Sequence, residues 1–243
     1  MELSVERQQP HSTPFISGVR DGVSIAIGYM PIALAFGLLA KSTGLTLWEA
    51  IAMSVWVFAG ASQYMALNLI AMGTSAVEIV MTTFVVNIRH FLMSASLQEK
   101  AENESKGKQA LYAFGITDET FSVAAMKKGT LTSGYLFGLI VMAYGSWVMN
   151  SGIGYVGGEL LPAIVQEGMG IALYAMFVGL LVPSMKGSGK IVSLGLFAAA
   201  INSGLVAFGL SAGWAILLAT LVSAVLVEWV VVLREKGGYE HGA

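Results

Sequence analysis

Asn87, Arg89 and His90 stand together inside TTFVVNIRHFLMSASL, residues 82–97, a run otherwise made of apolar and small side chains. An arginine in such a place can clamp a carboxylate, a histidine can carry a proton near neutral pH, and an asparagine offers both donor and acceptor. On a helix Thr83, Asn87, His90 and Ser94 fall on one face, with Arg89 one step round from His90. A second group, GITDETF at 115–121, sets Asp118 and Glu119 between Thr117 and Thr120 in an apolar neighbourhood. One of these carboxylates can pair with Arg89 while the other titrates. The alternative is a solvated turn for the acids and an arginine that snorkels to the headgroups.

Which reading holds depends on the solvent around these residues. The chain has 243 residues, 56% hydrophobic and only 12% charged, with a mean hydropathy of +0.72. Ordinary soluble domains carry roughly 25% charged residues, so this is an integral membrane protein. Apolar segments approaching or exceeding the length of about 20 residues that a membrane helix needs run over 15–40, 47–72, 76–97, 131–150, 165–184, 190–209 and 212–233. A weaker stretch, 109–126, carries Asp118 and Glu119 and is either a short span, a re-entrant piece or an interfacial helix. No period-two alternation of the kind a membrane β-barrel requires is present. The expected fold is all-α and polytopic, with seven or eight transmembrane segments. A polar tail, 1–14, precedes a single bundle, 15–233, and a polar tail, 234–243, follows it. The polar N-terminus is a poor signal peptide and is read as retained.

The same composition removes several function classes. A net charge of -2, with no basic stripe, argues against nucleic acid as a partner. Zero cysteines exclude disulfides and thiolate sites, and two of the three histidines, His11 and His241, lie near the chain ends, so neither a metal centre nor another cofactor is expected. There is no GxSxG, HExxH, P-loop or dinucleotide fingerprint, so the chain is read as no enzyme and as no ATP-hydrolysing subunit. A permease remains, or an uncoupled channel or facilitator for small solutes, or a non-transporting assembly subunit.

Two places invite a helix break. GVSIAIGYMPIALAFGLLA, 22–40, holds Pro31 between Gly28 and Gly37, and FAGASQ, 58–63, sets Gly60, Ser62 and Gln63 mid-segment. Either these are a kink and a small-residue packing face, or they are discontinuous helices whose freed amides and carbonyls line a solute site. Basic residues in 127–130, 185–190 and the C-terminal tail, against none in 151–164, alternate correctly with a cytoplasmic C-terminus. If 109–126 spans, the N-terminus is cytoplasmic and the mixed-charge loop 98–108 lies outside; if it does not span, that loop is inside and the N-terminus outside. The first arrangement is preferred.

GYMPIALAFGLLA, FAGASQYMALNLI, VVNIRHFLMSASL and GITDETFSVAA, in this order and spacing, resemble the AzlC family, the large subunits of bacterial branched-chain amino-acid exporters. The resemblance runs from about Phe15 to Val182 and is most specific in FAGASQ, NIRH and TDE. It implies an inner-membrane permease exporting leucine, isoleucine, valine and related apolar amino acids such as methionine, together with a small membrane subunit of the AzlD type. Such a substrate is a zwitterion with an apolar side chain and needs donors, acceptors and a dry pocket. Amides near Pro31 or Gly60, with Ser62 and Gln63, suit its carboxylate; Asp118 suits its ammonium, and Asn87 belongs to the polar wall. Without a nucleotide site the natural energy source is an ion gradient. His90, Asp118 and Glu119 are the groups able to carry a proton, with His90 and Asp118 assigned to coupling and Arg89 to holding a carboxylate.

Overall fold

The computed structural model describes residues 13–160 and 185–240, with a few positions between, and for 233–240 the backbone alone. The expected span 165–184 and the tail before Thr13 lie almost wholly outside the described residues. Among the described residues there are helices and no strand: α1 Pro14–Ser42, α2 Leu47–Trp56, α3 Gly60–Ala71, α4 Ala76–Gln98, α5 Lys106–Phe114, α6 Asp118–Met126, α7 Ser133–Gly157 with a 3-10 turn Gly158–Leu160, α8 Gly189–Ala207 and α9 Ala212–Glu240. Five of these, α1, α4, α7, α8 and α9, are long and apolar enough to cross a membrane. Trp48, Trp56, Phe84 and Phe91 are largely exposed, the outward apolar surface of a protein whose solvent is lipid.

The expected segments 47–72 and 109–126 are each two short helices. With 10 and 12 residues, α2 and α3 reach about 15 and 18 Å; α5 and α6, with 9 residues each, reach about 13 Å, against a hydrocarbon core of about 30 Å. The helix break at FAGASQ is therefore present. The other candidate break is not: α1 stays helical through Pro31, which is exposed on its surface. A proline removes one rung of the helix ladder without obliging the chain to part.

The described chain divides into two units. The first holds α1, α2, α4 from Ile88 onward, α5, α6 and α7; the second holds α3, α4 up to Asn87, α8 and α9.

In the first unit α1 and α7 run parallel at backbone contact. A Cβ on Gly18 would sit 2.0 Å from the Tyr135 carbonyl oxygen, and one on Gly154 would sit 2.0 Å from that of Leu34. The contacts ascend together in both helices, which fixes the direction, and only glycine permits this approach. Ion pairs mark the two ends: Asp21 with Lys127 at 2.8 Å where α1 and α7 begin, Lys41 with Glu159 at 2.7 Å where they finish. From that second end α2 runs back antiparallel to α7. Its entry is marked by the Tyr155 hydroxyl donating to the Leu45 carbonyl at 2.8 Å, and its last turn by the Tyr144 hydroxyl donating to the Val55 carbonyl at 3.0 Å. Tyr144 is near the middle of α7, so α2 stops half-way.

Helices α5 and α6 form a hairpin that enters and leaves by the first end. Before α5, Glu104 accepts from the Ser133 hydroxyl at 2.7 Å and the Glu102 amide donates to the Leu131 carbonyl at 2.9 Å, both at the start of α7. At the tip, Gly115 lies against Ile140, and the Phe114 and Tyr144 rings are 6.3 Å apart. After α6, Lys127 reaches Ser17 and Asp21 at the start of α1, and Lys100 donates to the Ala125 carbonyl at 2.7 Å. Segment 109–126 is thus re-entrant and does not span, contrary to the preferred sequence reading. The mixed-charge loop 98–108 and the basic loop 127–130 share one end.

In the second unit, the buried Glu78 of α4 accepts from the Ser211 hydroxyl at 2.5 Å and the Trp214 amide at 2.9 Å, closing the N-terminus of α9. Thr82 adds a bond to the Gly213 carbonyl at 3.2 Å. Helices α8 and α9 pair as a hairpin, and Glu228 of α9 pairs with Lys190 of α8 at 2.5 Å.

Candidate functional site

The tip of the α5–α6 hairpin is built to hold a helix start in an apolar interior. Thr117 is the N-cap of α6: its hydroxyl accepts from the Thr120 amide at 3.3 Å, and the Thr120 hydroxyl accepts from the Thr117 amide at 2.7 Å. Ile116, Thr117 and Thr120 are buried. This capping box satisfies amide groups that no water reaches. It also places Asp118 and Glu119 in the first helical turn, where the helix dipole favours negative charge.

The two acids have different partners. Arg89 Nη1 lies 2.9 Å from Asp118 Oδ2, with the side chains 36% and 29% exposed. Glu119 Oε2 accepts from the Tyr29 hydroxyl at 2.6 Å, and the Tyr29 oxygen is also 2.6 Å from Thr117 Oγ1. Tyr29 is buried on α1, with its ring edge-on to Trp147 at 5.2 Å and to Phe58 at 6.5 Å. His90 is half-buried beside Arg89 and faces the Ile116 carbonyl.

Phe58 is where the end of α2 meets the hairpin tip. It is the one described non-glycine residue with positive φ, at 41°, a conformation disfavoured for a bulky side chain. Its ring is 5.0 Å from Tyr144 and 6.5 Å from Phe114, and it is 2% exposed. Packing on several sides holds the strained backbone in place. The result is a cluster of aromatic rings, Tyr29, Phe58, Phe114, Tyr144 and Trp147, with Arg89, Asp118 and Glu119 at the same hairpin tip.

Of the residues singled out from sequence, the structure brings Arg89, Asp118 and Glu119 together with His90 in the first unit. Gly60, Ser62, Gln63 and Asn87 belong to the second unit, where Ser62 and Gln63 have no exposed surface and Gly60 begins α3. The Asn87 Oδ1 and Arg89 Nε atoms are buried without a hydrogen-bond partner. Thr83, expected on the polar stripe, instead bonds back to the Ile79 carbonyl of its own helix at 2.8 Å. Tyr29 and Glu78 were not singled out. The signal for each was a polar group inside an apolar run, since a buried tyrosine hydroxyl or carboxylate must find a partner. An open groove of about 600 Å³ between α2 and α7, lined by Leu47, Ile51, Val148, Gly152 and Val156, is wholly apolar and holds none of these groups. Among the described residues no cluster of His, Cys, Asp and Glu could hold a metal ion.

Half-helices ending inside an apolar bundle, with an ion pair at their junction, define a polytopic membrane protein of the discontinuous-helix kind. The AzlC protein family model matches residues 24–161, which include all of these first-unit groups. The chain belongs to the AzlC family of transport-related membrane proteins. It is 33% identical to the Inner membrane protein YgaZ of Escherichia coli, over 76% of this chain and 79% of that one. It is 30% identical to an uncharacterized membrane protein of Archaeoglobus fulgidus over 72% and 78% of the two chains. It is 27% identical to the Branched-chain amino acid transport protein AzlC of Bacillus subtilis over 64% and 62%. No solved structure matches the chain.

Proposed function

We propose that this chain is the large subunit of a proton-coupled exporter of branched-chain and related apolar amino acids, methionine among them, in the bacterial inner membrane, completed by a small AzlD-type subunit. The observation that carries the reading is the Arg89–Asp118 pair beside the aromatic cluster. A zwitterion can open such a pair without leaving a charge unmatched: its ammonium replaces Arg89 at Asp118, and its carboxylate takes Arg89, including the unpartnered Nε. The aromatic and aliphatic side chains around Phe58 suit the apolar end of the substrate. The kinship with the Bacillus subtilis transport protein supports the substrate class. Export against a gradient, in a chain without a P-loop, needs an ion gradient as its source of energy.

Orientation follows from charge. Lys100, Lys127 and Lys128 in the two loops, with Lys106 and Lys108 in the first turn of α5, gather at the end where α1 begins, so on this reading that end and the N-terminus are cytoplasmic. The C-terminus, with Arg234 and Lys236, is assigned to the same side.

The test is counterflow in proteoliposomes, with and without the small subunit, scanned over amino acids. Exchange of leucine, isoleucine, valine or methionine, and accumulation when a pH difference is imposed, are expected. Exchange without accumulation would make the protein a facilitator, and no exchange under either condition would remove the reading.

A further inference from the structure

We propose that Glu119, joined through Tyr29 to Thr117, is the group that takes up and releases the coupled proton, whereas Asp118 keeps its charge throughout. The proposal rests on the proton-coupled reading above and replaces the assignment of coupling to His90 and Asp118. It follows from what each acid touches.

Asp118 faces a permanent cation. Arg89 does not lose its proton in proteins, so protonating Asp118 would strand a guanidinium inside a membrane segment, one of whose nitrogens already lacks a partner. In the exporter reading Asp118 passes from Arg89 to a substrate ammonium and back, and is never without a cation. His90 lies next to the same arginine, so a proton there would set two positive charges side by side.

Glu119 faces a neutral hydroxyl whose hydrogen bond can turn round. With Glu119 ionised, Tyr29 donates to Glu119 Oε2 and Thr117 donates to the Tyr29 oxygen. With Glu119 protonated, its new O–H donates to the Tyr29 oxygen and Tyr29 donates to Thr117 Oγ1. Thr117 then turns its own hydroxyl hydrogen to Thr120 Oγ1, 3.3 Å away, while Thr120 continues to donate to the Gly115 carbonyl at 3.1 Å. One O–H bond forms, at Glu119, and none breaks; three hydroxyls serve both states, and the two that turn, Tyr29 and Thr117, leave no hydrogen unmatched. The groups around Glu119 are Tyr29 from α1, Asp118 on its own helix, and Arg89 and His90 from α4 beside Asp118. Trp147 of α7 and Phe58 pack on the Tyr29 ring and bring no charge. Burial of Tyr29 and Thr117 keeps water from shorting the chain.

The experiment is pH-difference infrared spectroscopy of the purified chain in lipid nanodiscs, following the C=O stretch of a protonated carboxylic acid. Among the bands that titrate, which include those of the exposed carboxylates, the wild type should show one that E119Q alone removes, and D118N should retain it. Y29F should keep the band but move its frequency, because the carboxyl loses its hydroxyl partner, a change a merely structural tyrosine would not produce. Loss of the band in D118N with retention in E119Q, or its absence in wild type, would overturn the proposal. An unmoved band in Y29F would remove the hydrogen-bond chain on which it stands. Should the Glu119 band titrate as described in a protein that exchanges no amino acid, the proton site stands and the export reading fails, so the two are separable.

Discussion

Cutting the Arg89–Asp118 pair should destabilise the protein and abolish transport together. The two side chains are 36% and 29% exposed, so the pair lies between two limits. Removing one partner of a fully buried pair costs about 3–5 kcal/mol, and an exposed pair is worth about 0–1 kcal/mol. Arg89→Ala and Asp118→Ala should each therefore cost about 2 kcal/mol. At roughly 2–4 °C per kcal/mol for a chain of this size, each single variant should melt about 4–8 °C lower. The double variant should lose clearly less than the sum, because once both charges are gone no unmatched ion remains, and an interaction of about 1–2 kcal/mol should appear in the cycle. Arg89→Lys keeps the charge and loses the forked geometry, and should fall between wild type and Arg89→Ala. Thermal melts followed by circular dichroism in nanodiscs give the stabilities, and leucine counterflow gives the function. Strict additivity, or an Arg89→Ala protein as stable as wild type, would refute the pairing argument.

The α1–α7 contact should reject any side chain: Gly154→Ala puts a Cβ 2.0 Å from the Leu34 carbonyl oxygen and should cost at least about 1–3 kcal/mol, while Gly28→Ala, with nothing within 4 Å, should melt like wild type. Glu78→Ala leaves the Ser211 hydroxyl and Trp214 amide without their acceptor and should cost about 1–3 kcal/mol in a melt, with Glu78→Gln milder. The Ser133 hydroxyl and Lys108 hold the Glu104 carboxyl below its usual range, so its contribution is full above about pH 4.3 and fades as pH falls through the lowered folded-state value; Glu104→Gln should flatten the acid limb of stability against pH. Because the chain has no cysteine, single replacements report topology directly: G107C and K128C should label from the same face of the membrane and T43C from the other, and opposite faces for the first two would make 109–126 a span after all.

Composition alone settled the solvent. With so few charges in long apolar runs the chain had to be helical in lipid, since only helices or closed barrels satisfy the backbone there and no alternation was present. The motif order around FAGASQ, NIRH and TDE pointed to the family that the comparisons then established. The break at FAGASQ was legible only as one of two alternatives, because glycine and small polar residues in an apolar run serve equally well as a packing face. Direction was not legible. Hydropathy counts apolar residues without regard to which way the chain runs, so 109–126 passed for a weak span, whereas contacts of Glu104 with Ser133 and of Lys127 with Asp21 bring both its ends to one side. Proline told less than expected, since losing one amide did not part α1 at Pro31. Above all, adjacent acids in TDE looked interchangeable in one dimension. Successive residues point about 100° apart on a helix, which sends Asp118 to an arginine on α4 and Glu119 to a tyrosine on α1, so only the packed helices decide which acid faces a cation and which a hydroxyl.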